Sequence, residues 1–339
     1  MIEAKHTPLF SIIIPVYNRP QEVQELLESL THQTSHDFEV VIVEDGSHPD
    51  LRCDKVVNSY ANRLDISYYE KENGGPAAAR NFGAVKAQGK WLVFFDSDCL
   101  IPEQYITNAT KELQDHDCQL FGGADRSHPS FTPLQKAIDY SMTSILTTGG
   151  IRGNKKSADK FYPRTFNMGI RKEVFDEIGG FSNMRFGEDV DFSYKVKEGG
   201  YDSRLFHENW VYHKRRNTFR TFFKQVFNSG IARIHLTRRH PGTLKIVHLL
   251  PSAFVLGSLF LIAVALTICP WAITPLLLLA MILWADATFR TKSLCTGALA
   301  VAASFTQLTG YGSGLIAGWW NICIRGRHDW AAFTKNFYR

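Results

Sequence analysis

The chain has 339 residues, 45% of them apolar, and a formal net charge of +5, long for one domain and comfortable for two. That total conceals an asymmetry: residues 1–208 carry 23 Lys and Arg against 31 Asp and Glu, whereas residues 209–339 carry 15 against 2. The basic half also holds the long apolar runs, so its charge points to a membrane surface and not to nucleic acid. The six scattered cysteines show no paired metal-ligand spacing, and free thiols in a cytosol-facing protein fit them better than a disulfide framework.

Residues 10–16 (Phe-Ser-Ile-Ile-Ile-Pro-Val) are apolar and β-branched and predict a first strand. Pro20 suits a first helical turn, and Val23, Leu26, Leu27 and Leu30 then recur at helical spacing to about His32. Residues 38–43 predict a second buried strand running into Glu44-Asp45-Gly46-Ser47, and residues 66–69 a third. Gly74-Gly75-Pro76 leads into a helix over 77–87. Residues 91–95 are five apolar side chains in a row, as in a strand covered on both faces, and Asp96-Ser97-Asp98 follows at once. Strand alternating with helix in this rhythm gives βαβ units, hence an α/β fold with a mostly parallel sheet. Beyond Pro102 come a helix to about Asp117, a strand over 119–121 and a Gly-, Lys- and Ser-rich loop over 147–164, of the kind that serves as a lid or binding loop. Order returns at 166–170, with a short helix to Ile178, then Gly179-Gly180-Phe181, then a helix over 188–198 whose acidic first turn suits the helix dipole.

From Thr218, the residues Phe219, Phe222, Phe223, Val226, Phe227 and Ile231 form an aromatic face against Arg220, Lys224 and Arg233. That is the make-up of a helix in a membrane interface, the alternative being a core helix of the soluble domain. Residues 246–269 are uncharged and exceed the roughly 20 residues that span a bilayer. Pro270 breaks the run, and 271–289 continues as a second span. Arg238, Arg239 and Lys245 before this hairpin, with Arg290 and Lys292 after it, put both ends on the cytoplasmic side. A third segment, 297–324, is diluted by Gln307, Gly310, Gly312, Gly314 and Gly318. If it spans, Arg325, Arg327, Lys335 and Arg339 lie outside, against the charge rule. Spanning and re-entrant or interfacial courses both stay open, with the second favoured. Residues 1–10 have no apolar core of signal-peptide length, so the first domain is expected to stay on the side where it is made.

In open α/β sheets the ligand crevice lies at the carboxyl ends of the strands. Asp96 and Asp98 stand there, and paired carboxylates suit a hard divalent cation that also holds phosphate oxygens; an aspartate-rich turn is the plain alternative. Asp45 ends the second strand near Pro15-Val16-Tyr17-Asn18, where a carboxylate can accept the ring N–H of a base such as uracil, although an aspartate before Gly-Ser also caps turns. Arg80 offers a fork of donors to a nucleotide or diphosphate, or is a solvated charge. These residues belong to consecutive βα units and converge on one sheet edge. No Gly-x-Gly-x-x-Gly follows the first strand, which disfavours a dinucleotide-dependent oxidoreductase.

Taken in order, Pro15-Val16-Tyr17-Asn18, Glu44-Asp45-Gly46-Ser47, Gly74-Gly75-Pro76-Ala77-Ala78-Ala79-Arg80-Asn81 and Asp96-Ser97-Asp98 resemble the successive motifs of the family 2 glycosyltransferases. These are inverting enzymes with the nucleotide-diphospho-sugar transferase (GT-A) fold, and the resemblance covers about residues 9–215. It implies that Asp45 reads the base, Arg80 supports the nucleotide, Asp96 contacts the ribose region and Asp98 ligates Mn2+ or Mg2+ across the diphosphate, with Pro15, Tyr17 and Asn18 also on the nucleotide side. Glu44 stands where many members have aspartate. Gly187-Glu188-Asp189 resembles the family's acceptor-side acidic pair, with Asp189 as general base beside Glu188; Asp191 reads as helix surface. Asn167-Met168-Gly169 and Gly179-Gly180-Phe181 resemble the acceptor-side loop, making Asn167, Gly180 and Phe181 acceptor-side candidates, with Phe181 either a sugar-stacking ring or a core residue. His213 is placed like a histidine that completes the metal site in some members, or is structural. The Gln-x-x-Arg-Trp motif of the family's processive polymerases is replaced by Gln225-Val226-Phe227-Asn228-Ser229, which argues for transfer of one sugar at a time.

The resemblance thus implies a cytosolic GT-A catalytic domain over 1–217. A basic amphipathic helix and linker over 218–245, a membrane region over 246–324 and a basic tail over 325–339 would follow. The expected activity is metal-dependent inverting transfer from a nucleotide-diphospho-sugar, a UDP-sugar by preference. The acceptor would be a lipid-linked saccharide or other glycan in cell-envelope or surface polysaccharide assembly, at the cell membrane with the catalytic domain cytoplasmic. Membrane lipids are the other expected partners, and nucleic acid is not. Two rivals stand beside it: a polyprenyl-phosphate glycosyltransferase, whose phosphate nucleophile needs no base, and a non-catalytic nucleotide-sugar-binding membrane scaffold.

Overall fold

A strand buried on both faces has no polar side to show, and three of the first four strands are buried almost throughout, the third being a partly exposed edge. In the computed structural model, which describes residues 7–148 and 162–333, β1 (Phe10–Val16), β2 (Phe38–Asp45), β3 (Ile66–Lys71) and β4 (Trp91–Phe94) pair in parallel in the order β3-β2-β1-β4. Every residue of β2 and β4 is buried, and all of β1 but Pro15, which is why their sequences run apolar without alternation. The connections are helical: α1 (Pro20–Thr31), α2 (Asp54–Tyr60) and α3 (Pro76–Lys86). On α1 the buried residues are Val23, Leu26, Leu27 and Leu30, the helical stripe expected. On α3, Gly83 lets the helix lie close on the sheet, since a Cβ there would meet the Ile13 side chain at 2.6 Å.

The chain then makes β5 (Cys99–Leu100), α4 (Tyr105–Asp115), β6 (Leu120–Gly122) and β7 (Asp125–Arg126), followed by α5 (Pro133–Thr143) and α6 (Ile145–Thr148). After residues 149–161 come β8 (Met168–Arg171), α7 (Lys172–Ile178), α8 (Glu188–Glu198), β9 (Ser203–Leu205) and β10 (Val211–His213). The large sheet continues β4-β8-β6-β9, with β8 antiparallel to both its neighbours and β9 parallel to β6. A small sheet, β5-β10-β7, pairs β10 antiparallel to β5 and parallel to β7. Most of the expected loop over 147–164 lies outside the described residues, as do residues 1–6 of the N-terminal reading and 334–339 of the basic tail.

Two compact units result. The first comprises Met1–His128 and Lys155–His213 and holds both sheets; the second comprises Pro129–Asn154 and Lys214–Arg339. Thus α5 and α6, inside the 1–217 stretch read from the sequence as the catalytic domain, group with the C-terminal helices α9 (Phe219–Arg239), α10 (Ile246–Thr267), α11 (Thr274–Thr291) and α12 (Leu294–Gly318). Two segments of 22 residues, Ile246–Thr267 and Pro270–Thr291, are long and apolar enough to cross a membrane, with mean hydropathies of 2.4 and 1.8. The apolar face of α9 is covered within this unit: Ile231 and Ile234 pack with Leu315 and Ile322, and Phe222 and Val226 with Ala300, Ala303 and residues of α5.

Candidate active site

In the order β3-β2-β1-β4 the chain reverses its direction of progress between β1 and β4, the position at which open α/β sheets hold ligands. The register ends at the pair Ile13–Phe94. Beyond it, Tyr17-Asn18-Arg19 leave β1 and Asp96-Ser97-Asp98 leave β4, side by side. Asn18 takes a left-handed conformation, φ 56°, its N–H donating to Ser47 Oγ (2.6 Å) and its Oδ1 accepting from His48 N–H (2.7 Å). That turn aims Arg19 at Asp98, Nη1 to Oδ2 2.6 Å. Tyr17 is exposed and Pro15 half-buried.

The small sheet supplies the distant partner. His213 pairs in register with Cys99, which sets its ring beside Asp98: Nε2 lies 3.2 Å from Asp98 Oδ1 and 3.9 Å from Asp96 Oδ2. Phe166 stacks on the imidazole, centroids 4.9 Å apart, and Asp125 Oδ2 stands 4.0 Å from Nδ1. Asp96 Oδ1 accepts from Arg80 Nη2 (2.7 Å), and Arg80 Nη1 donates to Glu188 Oε1 (3.0 Å). Arg80 is therefore no solvated charge; it is buried and joins the carboxylates of two motifs.

The carboxylate of Asp98 and the imidazole of His213 are donors of the kind that would hold a Mn2+- or Mg2+-like cation. Cys99 Sγ lies within 4.8 Å of a ligand atom of each, but burial raises its thiol well above the usual range, with the charges of Asp98 and Asp96 adding to the effect. A protonated thiol is a poor ligand for a hard cation, and this one is turned toward the Phe166 carbonyl at 3.5 Å. The fitting pair is Asp98 and His213.

At the second acidic motif, α8 begins after Gly187 in a left-handed conformation (φ 81°), so Glu188 and Asp189 open its first turn. Asp189 Oδ2 pairs with Arg164 Nε (2.9 Å) and its Oδ1 accepts the Val190 N–H (2.8 Å). Burial pushes the Glu188 carboxyl up to about 7; Arg80 pulls it down and the neighbouring Asp189 charge pushes it up again. Asp191 departs from its reading as helix surface: it is 1% exposed, on the inward side of the same turn.

Other residues expected at the site back it from within. Both oxygens of Asp45 are engaged, Oδ1 by Lys71 Nζ (2.7 Å) and Gly74 N–H (2.9 Å), Oδ2 by Gly75 N–H (2.8 Å), so its carboxylate holds the glycine loop ahead of α3. Glu44 is buried under Ser47, Cys53 and Tyr68. Asn167 and Phe181, expected on the acceptor side, are also buried. Asn167 accepts from Tyr105 and donates to the Asn209 carbonyl, while Phe181 packs edge-on against Phe94, centroids 5.0 Å apart. Phe181 is thereby a core residue and not a stacking platform. Gly180, φ +66°, abuts Asn81, whose side-chain amide bonds both the N–H and the carbonyl of Phe181. Sequence reasoning missed Arg19, Asp125 and Arg164. Only Arg19 carries a local signal, its place directly after Tyr17-Asn18.

Comparison with known proteins matches this architecture. A sequence profile described as Glycosyl transferase family 2 matches residues 11–179. The chain is 34% identical over 197 residues to an uncharacterized glycosyltransferase of Haemophilus influenzae, covering 56% of this chain and 62% of that one. It is 28% identical over 235 residues to the glycosyltransferase AglE of Haloferax volcanii, covering 68% and 74%. Among solved structures, the mannosyltransferase PcManGT of Pyrobaculum calidifontis, in complex with GDP-Man and Mn2+, superposes with a TM-score of 0.57 at 19% identity, over 94% of this chain and 87% of that one. The chain thus spans just under two thirds of the Haemophilus relative and shares its fold with an enzyme of low sequence identity. The fold is GT-A-like, and the chain belongs to glycosyl transferase family 2.

Proposed function

We propose that the chain is a metal-dependent inverting glycosyltransferase that moves one sugar at a time from a nucleotide-diphospho-sugar, a UDP-sugar by preference, to a membrane-associated saccharide acceptor in cell-envelope or surface polysaccharide assembly. The carrying observation is the convergence of Asp98, His213, Asp96, Arg80 and Glu188 at the β1/β4 switch point. The structural neighbour solved in complex with GDP-Man and Mn2+ supports a nucleotide-diphospho-sugar donor and a divalent cation, without choosing the base. Asp98 and His213 would hold Mn2+ or Mg2+, which when bound offsets the charge that develops on the departing diphosphate. Arg19, now on Asp98 at the mouth of the crevice, is placed to meet a phosphate oxygen. Tyr17, Asn18 and the loop held by Asp45 line the base and ribose side, with Asp96 toward the ribose. Arg80 keeps Asp96 and Glu188 at fixed separation. Asp189 takes the proton of the acceptor hydroxyl as its oxygen bonds to the anomeric carbon and the bond to the diphosphate oxygen breaks, inverting that carbon. The nucleotide sugar is consumed on the cytoplasmic side of the cell membrane.

A thermal-shift screen of UDP-, GDP- and dTDP-sugars with and without Mn2+ tests this. Stabilisation by one donor class, and only with metal, is expected; stabilisation indifferent to Mn2+ overturns the metal role. The Arg164–Asp189 pair favours one second reading, in which the nucleophile is a polyprenyl phosphate, already anionic and in no need of a base. Asp189→Asn separates the two. A loss of about 10² to 10⁴ in kcat with donor binding intact supports the hydroxyl acceptor, and retained transfer to a prenyl phosphate supports the other.

A further inference from the structure

The course of α12 is set by what its glycines touch, all within the second unit. Near its start, Gly297 lies against Thr288 and the Trp284 carbonyl, in the last turns of α11. Near its end, Gly312 lies against the Pro251 carbonyl and Ser252 N–H, in the first turns of α10, and the Ser252 hydroxyl donates to the Gly312 carbonyl at 3.1 Å. Phe254 meets Phe305 edge-on between these points, centroids 5.6 Å apart. If α10 and α11 form a membrane hairpin, the start of one and the end of the other belong to the same face of the bilayer. At 1.5 Å per residue, Pro251 is about 8 Å into α10 and Thr288 about 5 Å from the end of α11, yet Gly297 and Gly312 are about 22 Å apart along α12. A helix crossing the bilayer would carry Gly312 away from that face. Here both points return to it.

The partner on the other side of α12 agrees. Gly310, Gly314 and Gly318 recur every four residues and admit α9 to backbone contact: a Cβ on Gly314 would lie 2.0 Å from the Phe227 carbonyl oxygen, and Gly318 rests on Ile231. This is the small-residue packing that lets two helices approach closely in or near a membrane. But α9 carries Arg220, Lys224, Arg233, Arg238 and Arg239, charges that hydrocarbon does not accept. The segment after α12 is tied to it too: His235 Nε2 meets the Trp330 carbonyl at 3.0 Å, Arg238 meets His328 at 2.9 Å, and Phe227 packs on Phe333. The C-terminal half of α12 and residues 325–333 are therefore held at the depth of a polycationic helix.

We propose that α12 lies along the cytoplasmic face of the bilayer and does not cross it. The chain then spans twice, and α9, α12 and residues 325–333 present one basic surface to anionic lipid headgroups. This placement restores the charge rule, since Arg325 and Arg327 fall on the same side as Arg238, Arg239, Lys245, Arg290 and Lys292. It does not depend on the transferase reading.

The native cysteines make the test direct. Cys269 lies in the turn after α10, Cys295 opens α12 and Cys323 follows it; all three are exposed, whereas Cys53, Cys99 and Cys118 are buried. In the full chain, serine replaces two of the three exposed cysteines at a time, and each remaining thiol is labelled with a membrane-impermeant maleimide in sealed vesicles of both orientations. Cys295 and Cys323 are expected to label from one side and Cys269 from the other. Labelling of Cys323 together with Cys269 overturns the proposal. Should Cys323 prove unreactive from both sides, Arg327→Cys, at an exposed position four residues on, reads the same sidedness. Labelling of that thiol from the side of Cys295 supports the proposal, and labelling from the side of Cys269 overturns it.

Discussion

The imidazole of His213 is held on three sides: Asp98 at Nε2, Phe166 on its face and Asp125 near Nδ1. Asp125 stands beyond hydrogen-bond distance of Nδ1, but its charge on that side favours the tautomer with the proton there, which leaves the Nε2 lone pair for a cation. Removing that charge in Asp125→Asn is expected to weaken Mn2+ binding by less than the roughly tenfold lost with a hydrogen-bonded partner, in a titration followed by electron paramagnetic resonance. An unchanged affinity in Asp125→Asn would dismiss this bias, and one in His213→Ala would remove His213 from the ligand set. Glu188 makes a different residue-scale prediction. Its folded carboxyl titrates near 7 because burial disfavours its charge, against an ordinary value of 4.5. Between those values the native chain holds a proton that the unfolded chain has released, so stability falls as pH rises through this window. The contribution is complete below about 4.5 and gone above about 7. Glu188→Gln has no such ionisation. Whatever its offset at acid pH, its melting temperature should gain on the parent as pH is raised from 4.5 to above 7, and a constant gap would contradict the shift.

Elements differ in how visibly they are written. Strands β1, β2 and β4 and helices α1, α3 and α8 announce themselves because each carries a local pattern: a largely apolar run, a helical stripe, or an acidic first turn. The halves of the site they carry, Asp45, Arg80, Asp96, Asp98 and Asp189, are legible for the same reason. Strands β5, β7, β9 and β10 have two or three residues each, too few for any period, and exist only through pairing with distant chain. Thus the approach of His213 to Asp98 has no local signal, and neither do Asp125 and Arg164. Burial of Asn167 and Phe181 is equally hidden, since a buried amide or ring beside a glycine reads like an exposed one. In sequence the glycines of α12 read as dilution of an apolar run, whereas in the fold Gly310, Gly314 and Gly318 are its contact face. Gly314→Val should separate α9 from α12 and cost more than the roughly 1–3 kcal/mol of ordinary overpacking, because the obstacle is backbone. Gly257→Ala, on α10 with nothing within 4 Å of the added carbon, should hold or raise the melting temperature in detergent. Equal melting temperatures for parent and Gly314→Val would refute the packing.

At the scale of the molecule, the charge asymmetry leaves the C-terminal part with far fewer acids than cations. Residues 209–339 hold 15 Lys and Arg and, for acids, only Asp286 and Asp329. Asp286 is already engaged by Arg290 and by the Tyr140 hydroxyl, and Arg215 is paired with Asp139. Most of the excess therefore cannot be neutralised within the second unit. In water such self-repulsion destabilises a compact state; against an anionic leaflet each surface Lys or Arg gains about 1 kcal/mol. If α9, α12 and residues 325–333 form the basic face, the chain in bilayer discs containing phosphatidylglycerol should melt several degrees higher than in phosphatidylcholine discs. The difference should close at molar salt, where the screening length shrinks from about 8 Å to about 3 Å. Hydrophobic anchoring by α10 and α11 is the same in both lipids and strengthens, if anything, with salt. A melting temperature that rises with anionic lipid but ignores salt would therefore assign the effect to a specific lipid contact, and one that ignores lipid charge altogether would mean that the cations of α9 and the C-terminal segment face water and not headgroups.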